Sequence, residues 1–233
     1  YYGLLAARQW IGSTFASRER VPVASYPCSG RTWLDAMLVQ ALARTLGADP
    51  KEYSTTCEVT LKNPQWPMVD LTHAGTSWET HVYTAEDAAK LDPRRWTSGR
   101  AIFLWRDPRD VQVSAYHHMT TRSGVTWLQP SGMLEDSVVG IDKVITFLNG
   151  CSRYAEENPC KVLDLRYEVL RDAPAEGLDS VLRFLGIDVD PTVIEQAVYE
   201  TSFKRMQAKE KQGDVLNPRM MAPSRGSTTS LKT

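Results

Sequence analysis

Residues 21–42 have the pattern of a buried strand, a tight turn and a helix. The segment 21–26 is apolar and favours β structure, and it is followed by the turn residues Pro27, Ser29 and Gly30. The rest of the segment has apolar residues at helical spacing. A turn that joins a strand to a helix points backbone N–H groups and the positive end of the helix dipole at one place. The segment therefore predicts an anion site, most often a phosphate site.

The turn differs from a Walker A loop, which requires G-x-x-x-x-G-K-[ST]. Gly30 and Thr32 match the last glycine and the hydroxyl residue, but Ser25 stands at the first glycine and Arg31 at the lysine. These two differences weaken the interpretation as an ATPase or kinase. A strand–turn–helix junction without a ligand remains an alternative at this point.

A second apolar strand, residues 101–105, is followed directly by Arg106. Asp107 and Pro108 are typical of a helix start, which places Ser114 two turns into the helix. A guanidinium and a hydroxyl at the end of a strand suit a second phosphate. The alternative is a surface cluster of Arg–Asp ion pairs.

Short strands alternate with helices along the chain, which predicts an α/β fold with one central parallel sheet flanked by helices. The predicted strands lie near residues 21–26, 69–73, 100–105 and 161–166. Ligands bind at the carboxyl ends of the strands in such sheets. Tyr26, His73, Arg106 and Tyr167 each fall at such an end. This convergence predicts one site.

Further motifs follow in the second half of the chain. Residues 161–168 are predicted to be a strand ending in Tyr167 and Glu168, and residues 178–185 an amphipathic helix closed by Gly186. After the helix come Thr201-Ser-Phe-Lys-Arg-Met206 and Arg225-Gly226.

In their order, these motifs resemble the sulfotransferase family that uses 3′-phosphoadenosine-5′-phosphosulfate. The family's loop, Y-P-K-S-G-T-T-W, is similar to residues 26–33, and its Arg and later Ser are matched by Arg106 and Ser114. Its Tyr-Glu-Asp, T-S-F-x-x-M and R-K-G motifs are similar to residues 167–169, 201–206 and, in part, 225–226. The resemblance covers about residues 20–230 and implies one domain, 1–233, with a P-loop-like phosphosulfate-binding loop.

The resemblance also implies which residues bind the cofactor. It places the 5′-phosphosulfate on the amides of Ser29, Gly30, Arg31 and Thr32, with help from the Thr32 hydroxyl. It places the adenine against Trp33, Tyr167, Ser202 and Phe203. It places the 3′-phosphate against Arg106, Ser114 and Arg225, with Gly226 beside them. Packing in the core is the alternative role for Trp33 and Phe203.

The reaction implied is sulfonate transfer to a hydroxyl or amine of a small-molecule acceptor. The family's base is the His of a K-T-H motif, and Thr72-His73 stands in that place, which makes His73 the candidate base. Among the four histidines, His81 has no motif around it, and His117 and His118 follow Arg106 within the predicted helix.

Two family lysines are replaced here, the loop lysine by Cys28 and the one before the His by Leu71. Our hypothesis is that Arg31 supplies the missing positive charge. The candidate catalytic residues are therefore His73 and Arg31, with Cys28 at the position of the loop lysine. A Cys-dependent phosphatase would need an Arg at C-x5-R spacing from Cys28, and none stands there. The alternatives are a catalytically weakened nucleotide-binding member of the same fold and, more distantly, an ATP-dependent kinase-like enzyme.

Composition limits the partners. The net charge of −1 over 233 residues argues against a broad nucleic-acid-binding surface. No apolar run reaches the roughly 20 residues of a membrane span. The four cysteines include no C-x-x-C pair and no zinc spacing, which favours thiols in a reducing cytoplasm and no metal. Loops are expected to shape the acceptor pocket at 50–68, 120–134 and 207–224, but the sequence defines neither the acceptor nor the oligomeric state.

Overall fold

The computed structural model describes residues 18–74, 76, 91–95, 97, 99–122, 129–136 and 139–211. Its four strands form one parallel sheet, which confirms the predicted fold class, and apart from the end of β4 each strand begins and ends within one residue of its predicted bounds. They are β1 (Arg20–Ser25), β2 (Met68–Thr72), β3 (Ala101–Trp105) and β4 (Val162–Arg166).

The strand order is β2-β1-β3-β4. Val23 of β1 pairs with Leu71 of β2 on one side and with Ile102 of β3 on the other, and Ile102 pairs in turn with Leu163 of β4. The chain therefore runs from β1 to β2 and then crosses back to the opposite side of β1. The carboxyl ends of β1 and β3 mark this reversal, which is where open α/β sheets bind ligands.

Nine helices accompany the sheet in the described part of the chain. They are α1 (Arg31–Thr45), α2 (Thr56–Lys62), α3 (Pro108–His117), α4 (Pro130–Leu134), α5 (Ile141–Glu157), α6 (Tyr167–Asp172), α7 (Pro174–Leu185), α8 (Pro191–Glu200) and α9 (Phe203–Lys211). Short 3₁₀ turns occupy Pro50–Glu52 and Pro93–Arg95, and a π-helical turn, His118–Arg122, extends α3.

Two helix boundaries lie where the sequence predicted them, the start of α3 and the end of α7. The Asp107 carboxylate accepts a hydrogen bond from the Arg109 amide at 2.9 Å, and Pro108 occupies the first turn of α3. Helix α7 ends at Leu185 and is capped by Gly186, which has a φ of 73°, the left-handed conformation that glycine adopts at low cost.

The core lies on both faces of the sheet, because neighbouring strand residues alternate between two apolar clusters. Val23 and Leu104 pack on one face beneath α1, α7 and α8. Ala24 and Phe103 pack on the other face against α3 and α5, where Phe147 is fully buried. Helices on both faces leave the carboxyl edge of the strands for a site.

Several predicted loops and one predicted strand end differ in the structure. Segment 50–68 contains helix α2, because Thr55 caps the Glu58 amide and the Glu58 carboxylate reaches back to the Ser54 amide at 2.7 Å. Segment 120–134 includes α4, and residues 207–211 belong to α9. Tyr167 and Glu168 open helix α6 instead of ending β4. No helix of the described residues has the length and apolar character needed to cross a membrane.

Candidate active site

The loop between β1 and α1 has the conformation of an anion-binding turn. Gly30 has a φ of 92° and its carbonyl accepts hydrogen bonds from the Trp33 and Leu34 amides at 3.0 and 3.2 Å. The Ser29 amide donates to the Tyr26 carbonyl at 3.3 Å. Within the described part of the chain, the amides of Gly30 and Thr32 make no hydrogen bond. These two amides are therefore available to receive an anion.

The ring of Tyr167 lies directly on Gly30. A Cβ at Gly30 would lie 2.7 Å from Cε2 of Tyr167 and closer still to Cδ2, so only glycine fits here. The same ring meets Trp33 edge-on, with centroids 6.1 Å apart, and lies 4.5 Å beneath the guanidinium of Arg106. Tyr167 thus connects the ends of β1, β3 and β4.

Arg106 is held between this ring and the loop. Its Nη1 donates to the Cys28 carbonyl at 3.2 Å, and its Nη2 lies 4.0 Å from the Asp110 carboxylate. Its Nε is buried without a hydrogen-bond partner among the described residues, as is the Oγ of Ser29. Buried polar atoms are usually satisfied, so these two atoms fit a ligand at this place.

Ser114 lies one helical turn beyond Asp110, on the same side of α3 as the Arg106 guanidinium. Its side chain is half-buried. No hydrogen bond joins Ser114 to Arg106. The structure therefore places Arg106 just before the start of α3 and Ser114 two turns into the same helix, with no hydrogen bond between them.

Glu168 connects the ends of β3 and β4. Its carboxylate accepts a hydrogen bond from the Asp107 amide at 3.1 Å and one from Nε of Arg166 at 3.0 Å. Burial by itself would raise the pKa of Glu168, but the hydrogen bonds to its carboxylate together outweigh burial and hold the pKa below its usual value. The hydrogen bond between the Asp107 amide and the Glu168 carboxylate fixes the backbone next to Arg106.

Trp33 brings the segment after α8 to the loop. Its indole N–H donates to the Thr201 carbonyl at 2.9 Å, and Thr201 itself is fully buried. Ser202 is half-buried, whereas the side chain of Phe203 is 78% exposed. The core-packing alternative for Phe203 is therefore wrong, while Trp33 does pack partly against the core.

The candidate base and the candidate cation are in direct contact. Nη2 of Arg31 lies 2.7 Å from Nε2 of His73, and Nδ1 of His73 lies 3.2 Å from the Ser25 carbonyl. Burial, reinforced by the Arg31 charge, lowers the pKa of His73 to about 4. At neutral pH His73 is thus an uncharged imidazole.

Cys28 has a φ of 66°, which is unusual for a residue other than glycine. Its half-buried side chain packs against the apolar cluster of Ala115, Met133 and Val139. All four cysteines of the chain are thiols and none is in a disulfide. No group of three or more histidine, cysteine or acidic side chains with metal-binding geometry occurs among the residues described.

Some of the residues predicted for the site lie outside the described part of the chain, and one packs elsewhere. Arg225 and Gly226 lie outside the described residues, as do His81 and residues 212–224 of the loop expected at 207–224. Trp66, in the segment 50–68 that was expected to shape the acceptor pocket, is partly buried and packs against the core. Two site groups that sequence reasoning missed are the carbonyls of Ser25 and Thr201, and a backbone acceptor has no sequence signature.

Comparison with known proteins gives a family for this chain. The model of the sulfotransferase domain family matches residues 18–229. Cytosolic sulfotransferase 17 of Arabidopsis thaliana is 24% identical over 221 residues, which cover 81% of this chain and 59% of the relative. The chain thus spans less than two thirds of that relative's length.

Solved structures share the fold. Mouse sulfotransferase SULT7A1 complexed with PAP has a TM-score of 0.53 at 20% identity, covering 82% of this chain and 65% of the other. Retinol dehydratase in complex with androsterone and the inactive cofactor PAP has a TM-score of 0.54 at 18% identity, covering 84% and 67%. With the family model spanning nearly the whole sequence, the chain belongs to the sulfotransferase domain family.

Proposed function

We propose that this protein transfers a sulfonate from 3′-phosphoadenosine-5′-phosphosulfate to a hydroxyl, or an amine, of a small-molecule acceptor. The observation that carries the proposal is the contact of three strand ends at one place. Tyr167 after β4 lies on Gly30 of the loop after β1 and beneath Arg106 after β3. Membership of the sulfotransferase family supports the same activity.

The residues present fit this cofactor. The unpartnered Ser29 Oγ and the amides of Gly30 and Thr32 suit its 5′ end, and the buried Nε of Arg106 suits its 3′-phosphate. In our assignment Ser114, Arg225 and Gly226 complete the 3′-phosphate site. Trp33, Tyr167, Ser202 and the exposed Phe203 offer aromatic and polar groups to the adenine.

When bound, 3′-phosphoadenosine-5′-phosphosulfate would supply the sulfonate: the bond from sulfur to the 5′-phosphate oxygen would break as a bond to the acceptor oxygen or nitrogen forms, and adenosine 3′,5′-bisphosphate would leave. His73 accepts the acceptor's proton on Nε2, because its Nδ1 faces the Ser25 carbonyl. Arg31 supplies positive charge at the start of α1, where the family has its loop lysine close by. Cys28 closes the loop at the lysine's position without a charge.

A second candidate function is nucleotide binding with weakened catalysis. It is favoured by the packing of the Cys28 side chain against apolar residues, which leaves Arg31 as the loop's remaining cation among the residues described. Turnover separates the two candidates. We expect Arg31→Ala to lower turnover roughly 100-fold, the size typical of a lost transition-state donor. Unchanged turnover in Arg31→Ala, with a sharp rise in Cys28→Lys, would contradict the assigned role of Arg31.

The first experiment is thermal unfolding with adenosine 3′,5′-bisphosphate, ADP or ATP at equal concentrations. A ligand at 100 times its Kd adds about 2.7 kcal/mol to the free energy of unfolding, which raises Tm measurably. We expect a shift with the 3′,5′-bisphosphate and little with ADP. A shift with ATP alone would indicate a kinase-like enzyme, and no shift with any nucleotide would contradict the proposal.

The acceptor class and the compartment are also proposals. Structures of retinol dehydratase contain androsterone or retinol, which supports a small organic acceptor here. We propose a cytoplasmic location, supported by the relative named as a cytosolic sulfotransferase and by four cysteines in thiol form.

A further inference from the structure

The contact between Arg31 and His73 determines which ring nitrogen carries the proton. A guanidinium only donates hydrogen bonds, so Nε2 of His73 must be the acceptor at 2.7 Å. The proton therefore resides on Nδ1 and is donated to the Ser25 carbonyl at 3.2 Å. The Nε2 lone pair, which a base needs, is already occupied by the side chain of Arg31.

We propose that Arg31 alternates between two partners, His73 Nε2 in the free protein and the anionic group of the bound donor, so that donor binding uncovers the base. The proposal rests on the proposed function, because it takes the anion at the loop to be the donor's 5′ end. It makes Arg31 a positioning residue for His73 in addition to its role as a cation.

The relative strength of the two contacts gives the direction of the change. Arg31 binds the neutral imidazole by one hydrogen bond to an uncharged acceptor, whereas a phosphate or sulfonate carries the opposite charge and can accept two parallel hydrogen bonds from the same guanidinium. Arg31 is the first residue of α1, so an anion on the loop amides lies beside the base of its side chain. Its long side chain can turn from one partner to the other without moving the helix.

The charge on Arg31 also changes what His73 can do. Among the described residues, Arg31 on α1 is the charged group that acts on the ring, while β1 contributes the neutral Ser25 carbonyl and the His73 backbone carbonyl accepts from Thr76. Burial and the Arg31 charge both lower the pKa of His73. Removing or neutralising that charge raises the pKa towards its ordinary value and makes Nε2 a stronger base.

The proposal is tested by NMR titration of ¹⁵N-histidine in the full chain, with the His73 signal assigned by His73→Gln. We expect the free wild-type ring to stay neutral, with its proton on Nδ1, to near pH 4. In Arg31→Ala the titration should move up by one pH unit or more. Saturation with adenosine 3′,5′-bisphosphate should move it upward in the wild type and change it little in Arg31→Ala.

Arg20→Ala is the matched control, because it removes one arginine charge at the opposite end of β1, where the side chain is exposed. It should leave the His73 titration unchanged. The proposal would be overturned if His73 titrated at the same pH in Arg31→Ala as in the wild type. It would also be overturned if the His73 titration of the wild type did not move with a nucleotide that calorimetry shows to bind. A flat calorimetric isotherm would instead reject the proposed function, and this inference with it. Arg31→Gln, which keeps a donor without the charge, gives the same comparison if Arg31→Ala fails to fold.

Discussion

At the scale of single residues, the site depends on a few residues that no other amino acid could replace without a cost. Gly30 is the clearest case, since both its positive φ and the ring of Tyr167 exclude a Cβ. His73 is another, since its ring is held at both nitrogens. Substitutions at these positions should therefore affect binding and stability together.

Replacing Gly30 with Ala should destabilise the fold by roughly 2–4 kcal/mol. About 1 kcal/mol comes from the left-handed backbone and about 1–3 kcal/mol from overpacking against Tyr167. Gly47→Ala is the matched control, because Gly47 has a φ of 71° but a Cβ added there would meet nothing within 4 Å. Urea unfolding measures both variants. An equal loss in the free energy of unfolding of the two variants would mean that the Tyr167 ring moves aside at no energetic cost.

His73 should make stability depend on pH. Its folded-state pKa of about 4 lies below the ordinary value of 6.5, so between these values the unfolded chain binds a proton that the folded chain does not. Stability should therefore fall as the pH drops through this window, by roughly 3 kcal/mol at most. Urea unfolding at pH 7, 6, 5 and 4 measures this slope. The free energy of unfolding of His73→Gln should depend less steeply on pH. Identical slopes in the variant and the wild type would mean that His73 is not the source of the pH dependence.

Trp33→Phe keeps an aromatic face but removes the bond to the Thr201 carbonyl. We expect a loss of about 1 kcal/mol in stability. Nucleotide affinity should fall as well, because that bond connects the loop to the segment carrying Ser202 and Phe203. Trp105→Phe, at the end of β3, loses no such bond within the described residues and serves as the control. Calorimetry with adenosine 3′,5′-bisphosphate measures the affinities. Equal affinities in the two variants would mean that Trp33 does not contribute to the adenine site.

At the scale of elements, the site is a set of strand ends tied to one another. Arg106 joins β3 to the loop after β1, and Glu168 joins β4 to the backbone beside Arg106. The Asp35 carboxylate of α1 accepts bonds from the amide and hydroxyl of Thr56, at 2.9 and 2.6 Å, which fixes α2 against α1. Such polar ties between elements set positions that apolar packing alone leaves loose.

Glu168→Ala tests the tie between β3 and β4. It removes two charge-assisted hydrogen bonds from a side chain that is 17% exposed, so we expect a loss of about 1.5–3 kcal/mol. Asp179→Ala, which breaks an exposed pair with Arg183 on α7, should cost under about 0.5 kcal/mol. Thermal unfolding compares the two variants. The affinity for adenosine 3′,5′-bisphosphate should fall in Glu168→Ala alone, because Arg106 loses its fixed backbone.

At the scale of the whole molecule, the sequence predicted the sheet because each strand is a short apolar run bounded by turn residues. It also predicted the starts of α1 and α3, where Gly30, Asp107 and Pro108 have local roles. It missed α2, since a short helix among prolines has little periodicity, although Thr55 and Glu58 carried its capping signal. It did not predict the Arg31–His73 contact, which joins residues 42 positions apart through the pairing of β1 with β2.

The strand order has a consequence for how such a protein can diversify. His73 follows β2 on one flank of β1, whereas Arg106 and Tyr167 follow β3 and β4 on the other. On the assignment proposed above, a lineage could exchange residues around the end of β2, beside the candidate base, without changing the flank assigned to the nucleotide. Arg31 follows β1, between the two flanks, so on the same assignment its replacement would affect the candidate base and the nucleotide together.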